Sequence, residues 1–98
     1  MSLPVILRRE ARIEFDQAAA WYEQKRKGLG ASFTKAIGGT LDQIRSNPEH
    51  YAKVFEDIRE ALVRGFPYCI YFQEEPKNIL VLSIFHSARD PFVWQDRV

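Results

Sequence analysis

The stretch ILVLSIFHSARDP, residues 79–91, decides the fold. From Ile79 to Phe85 it is apolar apart from Ser83, too short to span a bilayer but long enough for the central strand of a small domain. His86, Arg89 and Asp90 follow directly, so such a strand delivers an imidazole, a guanidinium and a carboxylate to one edge of a sheet. Binding or phosphate chemistry is often carried at such a place, on loops that a rigid scaffold holds. The plainer reading is that Arg89 and Asp90 only cap a C-terminal tail.

Upstream, residues 68–73 are aromatic and β-branched, and the polar segment EEPKN, residues 74–78, joins them to residues 79–85 as an antiparallel hairpin. Residues 58–64 alternate Ile58, Glu60, Leu62 and Arg64 against Arg59, Ala61 and Val63, with Gly65 and Pro67 marking the turn that follows. Residues 54–56 add a further short strand.

Before Pro48 the period is helical. Ala11, Phe15, Ala18, Ala19 and Tyr22 recur on one face, which predicts a helix over residues 10–26. Trp21 beside Tyr22 is more aromatic surface than one buried stripe needs, so one ring covers a neighbouring element or a partner. Gly28 and Gly30 break the chain after a basic last turn. Phe33, Ile37, Leu41 and Ile44 mark a second helix that Asn47-Pro48 stops. Gly38 and Gly39 inside it cost about 1 kcal/mol each relative to alanine, which points to a close helix contact. So short a connection predicts an antiparallel helical hairpin. Residues 4–8 read as an edge strand, with Pro4 at its start where a missing donor does least harm. The expected architecture is α+β: a short N-terminal strand, the helical hairpin, then a three- to four-stranded antiparallel sheet with the hairpin on one face and a short tail.

Ninety-eight residues favour one domain, residues 1–98, with a core that needs no staple. An apolar share of 46% argues against disorder. The formal net charge of +1 argues against a protein that coats many phosphates. Local basic groups remain: Arg8 with Arg9, the run Lys25, Arg26 and Lys27, and the set Arg59, Arg64, Arg89 and Arg97. Cys69 has no second cysteine to pair with and sits among Tyr68, Ile70 and Tyr71, as a buried thiol does. No basic-then-apolar leader opens the chain, so a reducing cytoplasm is the expected location and no membrane partner is expected. Met1, Ser2 and Leu3 are set aside from the functional argument.

His50, His86 and Cys69 lack the spacing of a metal site, and Gly28-Leu29-Gly30 lacks the lysine and hydroxyl residue of a phosphate loop. Neither a metal nor a cofactor is expected. What remains is Arg59, Arg64, His86 and Arg89 with Glu56, Glu60 and Asp90. Guanidinium forks suit phosphate or carboxylate, and histidine moves protons near neutral pH. Such a set can cleave RNA, given a base for the 2′-hydroxyl, an acid for the leaving oxygen and cations for the phosphate. The alternative is an ion-pair network on a solvated rim.

Three segments taken together, WYEQKRKGLGASF (residues 21–33), IREALVRGFPYCIYF (58–72) and IFHSARDPFVWQDR (84–97), resemble the RelE/ParE superfamily of toxins from bacterial type II toxin–antitoxin modules, nearest its ParE-like, plasmid-stabilisation branch. The resemblance runs from residue 11 to residue 97. It implies the strand–helix–helix–sheet fold read above and a cognate antitoxin whose extended, partly helical segment wraps the toxin. RelE-like members cut messenger RNA on the ribosome with basic residues on the central strands and an arginine after the last strand, followed by a tyrosine or histidine. By position, Arg59 and Arg64 fall on those strands and Arg89 matches that arginine. The next aromatic is Trp94, whose indole does not ionise usefully, and His86 precedes the arginine. ParE-like members instead poison DNA gyrase by protein contact, which suits the near-neutral charge and the aromatic tail.

The function expected is therefore a toxin that binds DNA gyrase, with Arg59, Arg64, His86, Arg89, Asp90 and Trp94 as the target surface; arginine and aromatic residues are the types enriched at binding hot spots. Trp21 and Tyr22 are the candidate anchors for the antitoxin. The alternatives are an endoribonuclease, using His86 with Glu56 or Glu60 as proton-transfer groups and Arg59, Arg64 and Arg89 as phosphate clamps, and an inactive family member. A homodimer, or a hetero-oligomer with the antitoxin, is the assembly to look for.

Overall fold

The computed structural model describes residues 3–98; Met1 and Ser2 lie outside the described residues. The chain runs β1 (Val5–Leu7), α1 (Arg9–Lys25), α2 (Leu29–Ser46), a 3-10 turn (Pro48–His50), β2 (Lys53–Phe55), β3 (Ile58–Leu62), β4 (Tyr68–Glu74), β5 (Ile79–His86) and α3 (Phe92–Gln95). The five strands form one sheet in the order β1-β5-β4-β3-β2. All neighbours are antiparallel except β1 and β5. The apolar run of residues 79–85 is thus an inner strand, with β4 on one side and β1 on the other. Among the described residues, no helix is long and apolar enough to cross a membrane.

The helical hairpin forms as its pattern predicts, with one difference in how it closes. Gly28, at φ +88°, turns the chain between α1 and α2. The carboxylate of Glu23 then accepts the amides of Gly28 (3.0 Å) and Gly30 (3.0 Å), giving α2 the anion its N-terminus favours. The close helix contact is at Gly30, where a Cβ would lie 2.7 Å from the carbonyl oxygen of Ala19. Gly38 and Gly39 face open space and mediate no such contact.

The hairpin covers one face of the sheet. Phe33, Ile37 and Ile44 from α2 and Ala11 and Ala18 from α1 pack on Ala61, Ile70, Phe72, Ile79, Val81 and Ile84. The opposite face presents Ile58, Cys69, Tyr71, Leu82 and Phe85, and α3 folds back to cover it with Trp94. Burial raises the pKa of the Cys69 thiol, as expected of an inert cysteine.

Strand ends differ from the sequence expectation by a residue or two. Glu56, expected in β2, sits at φ +51° in the tight β2–β3 turn. Arg64, expected in β3, lies past its end, because the amide of Val63 bonds Tyr68 and Gly65 at φ +86° reverses the chain. Leu82 is an extra residue in β5: Tyr71 faces Ser83 while Phe72 faces Val81. This bulge changes which backbone groups point outward in the last third of the strand.

Candidate functional site

The site arises because β1 stops early. Its register covers only Val5 to Leu7 against Ile79 to Val81, so the edge of β5 beyond Val81 has no strand beside it. Polar backbone groups on such an edge need other partners. Side chains supply several. Arg97 Nη1 donates to the Leu82 carbonyl (3.2 Å), and Glu14 Oε1 accepts the Ile84 amide (3.2 Å) and the Ser83 hydroxyl (2.8 Å). Arg97 also holds Glu14 in a two-pronged pair, Nη1 to Oε1 at 3.1 Å and Nη2 to Oε2 at 3.0 Å. The Glu14 side chain is 11% exposed and that of Arg97 16%, so the pair is inside the protein, where a planar fork facing a carboxylate is most effective.

Beside this clamp a groove of about 440 Å³ lies between α1 and the end of β5. Ala18, Trp21, Tyr22, Pro67, Tyr68 and Ile84 make its apolar wall; Glu14, Gln17, His86 and Arg89 are its polar groups. Tyr22 packs inward on Phe33 (centroids 5.1 Å apart) and Phe66 (5.0 Å). Trp21 is the outward ring of the two, 55% exposed, with Lys25 Nζ 4.9 Å from its centre. Burial raises the pKa of both Tyr22 and Tyr68, and for Tyr68 the neighbouring Tyr22 adds to the rise. Both are therefore neutral hydroxyls at physiological pH rather than bases.

His86 is held by its backbone position at the end of β5 and by its Nδ1, which accepts the Ala88 amide at 3.0 Å. That bond leaves Nε2 as the protonated nitrogen in the neutral ring. The ring stands edge-on to Tyr68 at 5.2 Å. Arg89 lies over Phe85, its Cζ 4.7 Å from the ring centre, with Nη1 3.6 Å from Glu14 Oε2.

Trp21, Tyr22, His86 and Arg89 are thus brought together, whereas the remaining sequence candidates lie elsewhere. Arg59 is aligned with Phe72 and Val81, at the opposite end of the sheet from His86, and donates to the Tyr51 carbonyl at 2.6 Å. Arg64 lines a separate depression with Lys35 and Leu62. Glu60 accepts the Tyr71 hydroxyl at 2.7 Å. Asp90 accepts the Phe92 amide at 3.0 Å and so starts α3. Trp94, expected on the recognition surface, is 1% exposed and stacks on Tyr71 with centroids 4.0 Å apart. It fastens the tail to the sheet instead of facing a partner. Glu14 and Arg97 escaped the sequence reading as site residues. Ser83 was their signal, since one hydroxyl in a buried apolar strand requires a polar partner.

A small α+β domain with a helical hairpin on one face of its sheet is a fold also found in solved structures. A chain of the chromosomal ParDE TA system from P. aeruginosa superposes with a TM-score of 0.76 over 87% of this chain and 96% of that chain, at 15% sequence identity. No curated protein matches the sequence. The family model described as the ParE toxin of type II toxin-antitoxin system, parDE, matches residues 5–91. The chain belongs to this ParE toxin family.

Proposed function

We propose that this toxin acts by binding a protein target, DNA gyrase, and that a cognate antitoxin neutralises it by occupying the groove between α1 and β5. One observation carries the reading: His86 and Arg89, expected to meet the target, line the same groove as Trp21 and Tyr22, expected to meet the antitoxin. A seated antitoxin then covers target contacts directly. Arg59 lies at the other end of β5 from His86, and Arg64 opens onto a different depression, which favours protein recognition over phosphodiester cleavage, a reaction that needs its cations around one phosphate.

The test is a supercoiling assay with purified gyrase and this protein, run beside transcript mapping in cells that express it. Inhibited supercoiling with intact messages is the expected result. Unaffected gyrase with cleaved messages would overturn it in favour of an endoribonuclease, for which His86 beside Arg89 and Tyr68 supplies the proton-transfer candidate. Harmless expression without any antitoxin would mark an inactive copy.

A further inference from the structure

The groove also carries information about what fills it. Tyr68 turns its carbonyl toward β3, where it accepts the Val63 amide, so the alternation of an antiparallel ladder turns Cys69 toward β5 and its partner Phe85 toward β4, leaving the backbone groups of Ile84 and His86 facing outward, as the Ile84 amide on Glu14 shows. Glu14 takes the Ile84 amide and the Arg89 amide bonds the His86 carbonyl. Among the described residues, no side-chain or loop hydrogen bond reaches the Ile84 carbonyl or the His86 amide. One acceptor and one donor thus remain on the exposed edge of a strand, spaced as an added strand would use them.

Charge points the same way. Glu14 is the only carboxylate among the groove residues, and Arg97 already neutralises it through two hydrogen bonds. Arg89 pairs with the same carboxylate only loosely, at 3.6 Å, so two guanidiniums share one carboxylate and the groove keeps one surplus positive charge, with the Arg89 side chain 49% exposed. The Phe85 ring, 4.7 Å from Cζ, supports the guanidinium.

We infer that Arg89 is the specificity cation of the groove: it receives a carboxylate from an extended segment of the antitoxin, which pairs with β5 at the Ile84 carbonyl and the His86 amide. The inference rests on the antitoxin reading above for the occupant's identity. Glu14 acts as a positioning residue. Held by Arg97, it fixes the Ile84 amide on the open edge, and its 3.6 Å pairing with Arg89 is loose enough for a second carboxylate to share that guanidinium. An apolar side chain of the segment fits beside Ala18 and Trp21, and an acidic one reaches Arg89.

The test is a selection of random displayed peptides on the immobilised full-length protein and on its Arg89→Glu variant, whose fold is checked by circular dichroism. Binders to the parent are expected to carry an acid at one position flanked by β-branched or aromatic residues, and to lose about tenfold or more in affinity for Arg89→Glu. Selection on Arg89→Glu is expected to replace that acid by lysine or arginine. In the bound state, hydrogen exchange at the His86 amide slows. Binders with helical spacing, binders indifferent to Arg89→Glu, an unchanged His86 amide, or no binders because a second copy of the chain fills the groove would each overturn the inference. Unaffected gyrase together with charge-dependent peptide binding would remove the target reading alone.

Discussion

The two faces of the sheet are closed by different means. On the helix face, Phe33 meets Phe15, Tyr22, Phe66 and Tyr68, each at a ring-centre distance of 5.0 to 6.0 Å, so many side chains share the burial. On the other face one indole, Trp94, lies on Tyr71 and against Phe55, and one ion pair, Glu14 with Arg97, pins the segment that carries it. A core shared by two long helices loses contacts gradually. A cover made by four helical residues is lost as a unit.

That contrast can be broken in four ways. Phe33→Ala should cost the most, about 3–5 kcal/mol, because it empties the centre of the aromatic cluster; urea denaturation measures it, and a single cooperative transition with a lower midpoint is expected. Trp94→Ala should cost about 3 kcal/mol while chiefly freeing α3, seen as hydrogen exchange that rises at residues 92–97 and not in α2. Equal loosening of both faces would remove the distinction. Glu14→Gln should cost about 2 kcal/mol, because the amide still accepts from Ser83 but leaves the Arg97 charge without its partner. Adding Arg97→Met to it should cost less than the sum of the two single changes, since no buried charge is then stranded.

Alkaline pH gives the smallest effect near neutrality and the most specific one. Burial raises the pKa of the Tyr71 phenol most, and its hydrogen bond to Glu60 raises it further. An unfolded tyrosine ionises near 10.0, so the folded state keeps its proton where the unfolded chain releases it. Stability present below that pH should fall as pH rises above it. Tyr71→Phe should flatten the decline, at a cost of about 1 kcal/mol at neutral pH for the lost hydrogen bond. Thermal melts across the alkaline range read both.

Much of the architecture was legible because residues 79–85 and the helical stripes obey clean periods. Glycine is less legible: Gly38 and Gly39 stand out in the sequence as a pair, but the close approach falls at Gly30, set by where α1 crosses and not by composition. The parallel pairing of β1 left no local trace, since three residues carry no record of a partner so far along the chain. Four residues after Pro91 were too few to display a helical period, so α3 read as tail. Residue type alone points Trp94 to recognition, and a buried anchor and an exposed hot spot are the same letter. Glu14 was hidden among the charged positions of α1 that solvent normally receives. By contrast Trp21 and Tyr22 divided as the excess of aromatic surface required, one inward and one outward.

Arg8 Nη1 donates to the carbonyl of Arg97 at 2.9 Å, a bond between residues 89 positions apart. Arg8 follows β1 directly, and its own amide bonds Val81 beside the Glu14–Arg97 clamp. Thermal openings should therefore not fray the two segments independently. Releasing the tail removes the partner of Arg8, and releasing β1 removes a support of the tail. The first strand and the last helix behave as one cooperative breathing unit, and loss of either exposes the full length of β5 to strand exchange.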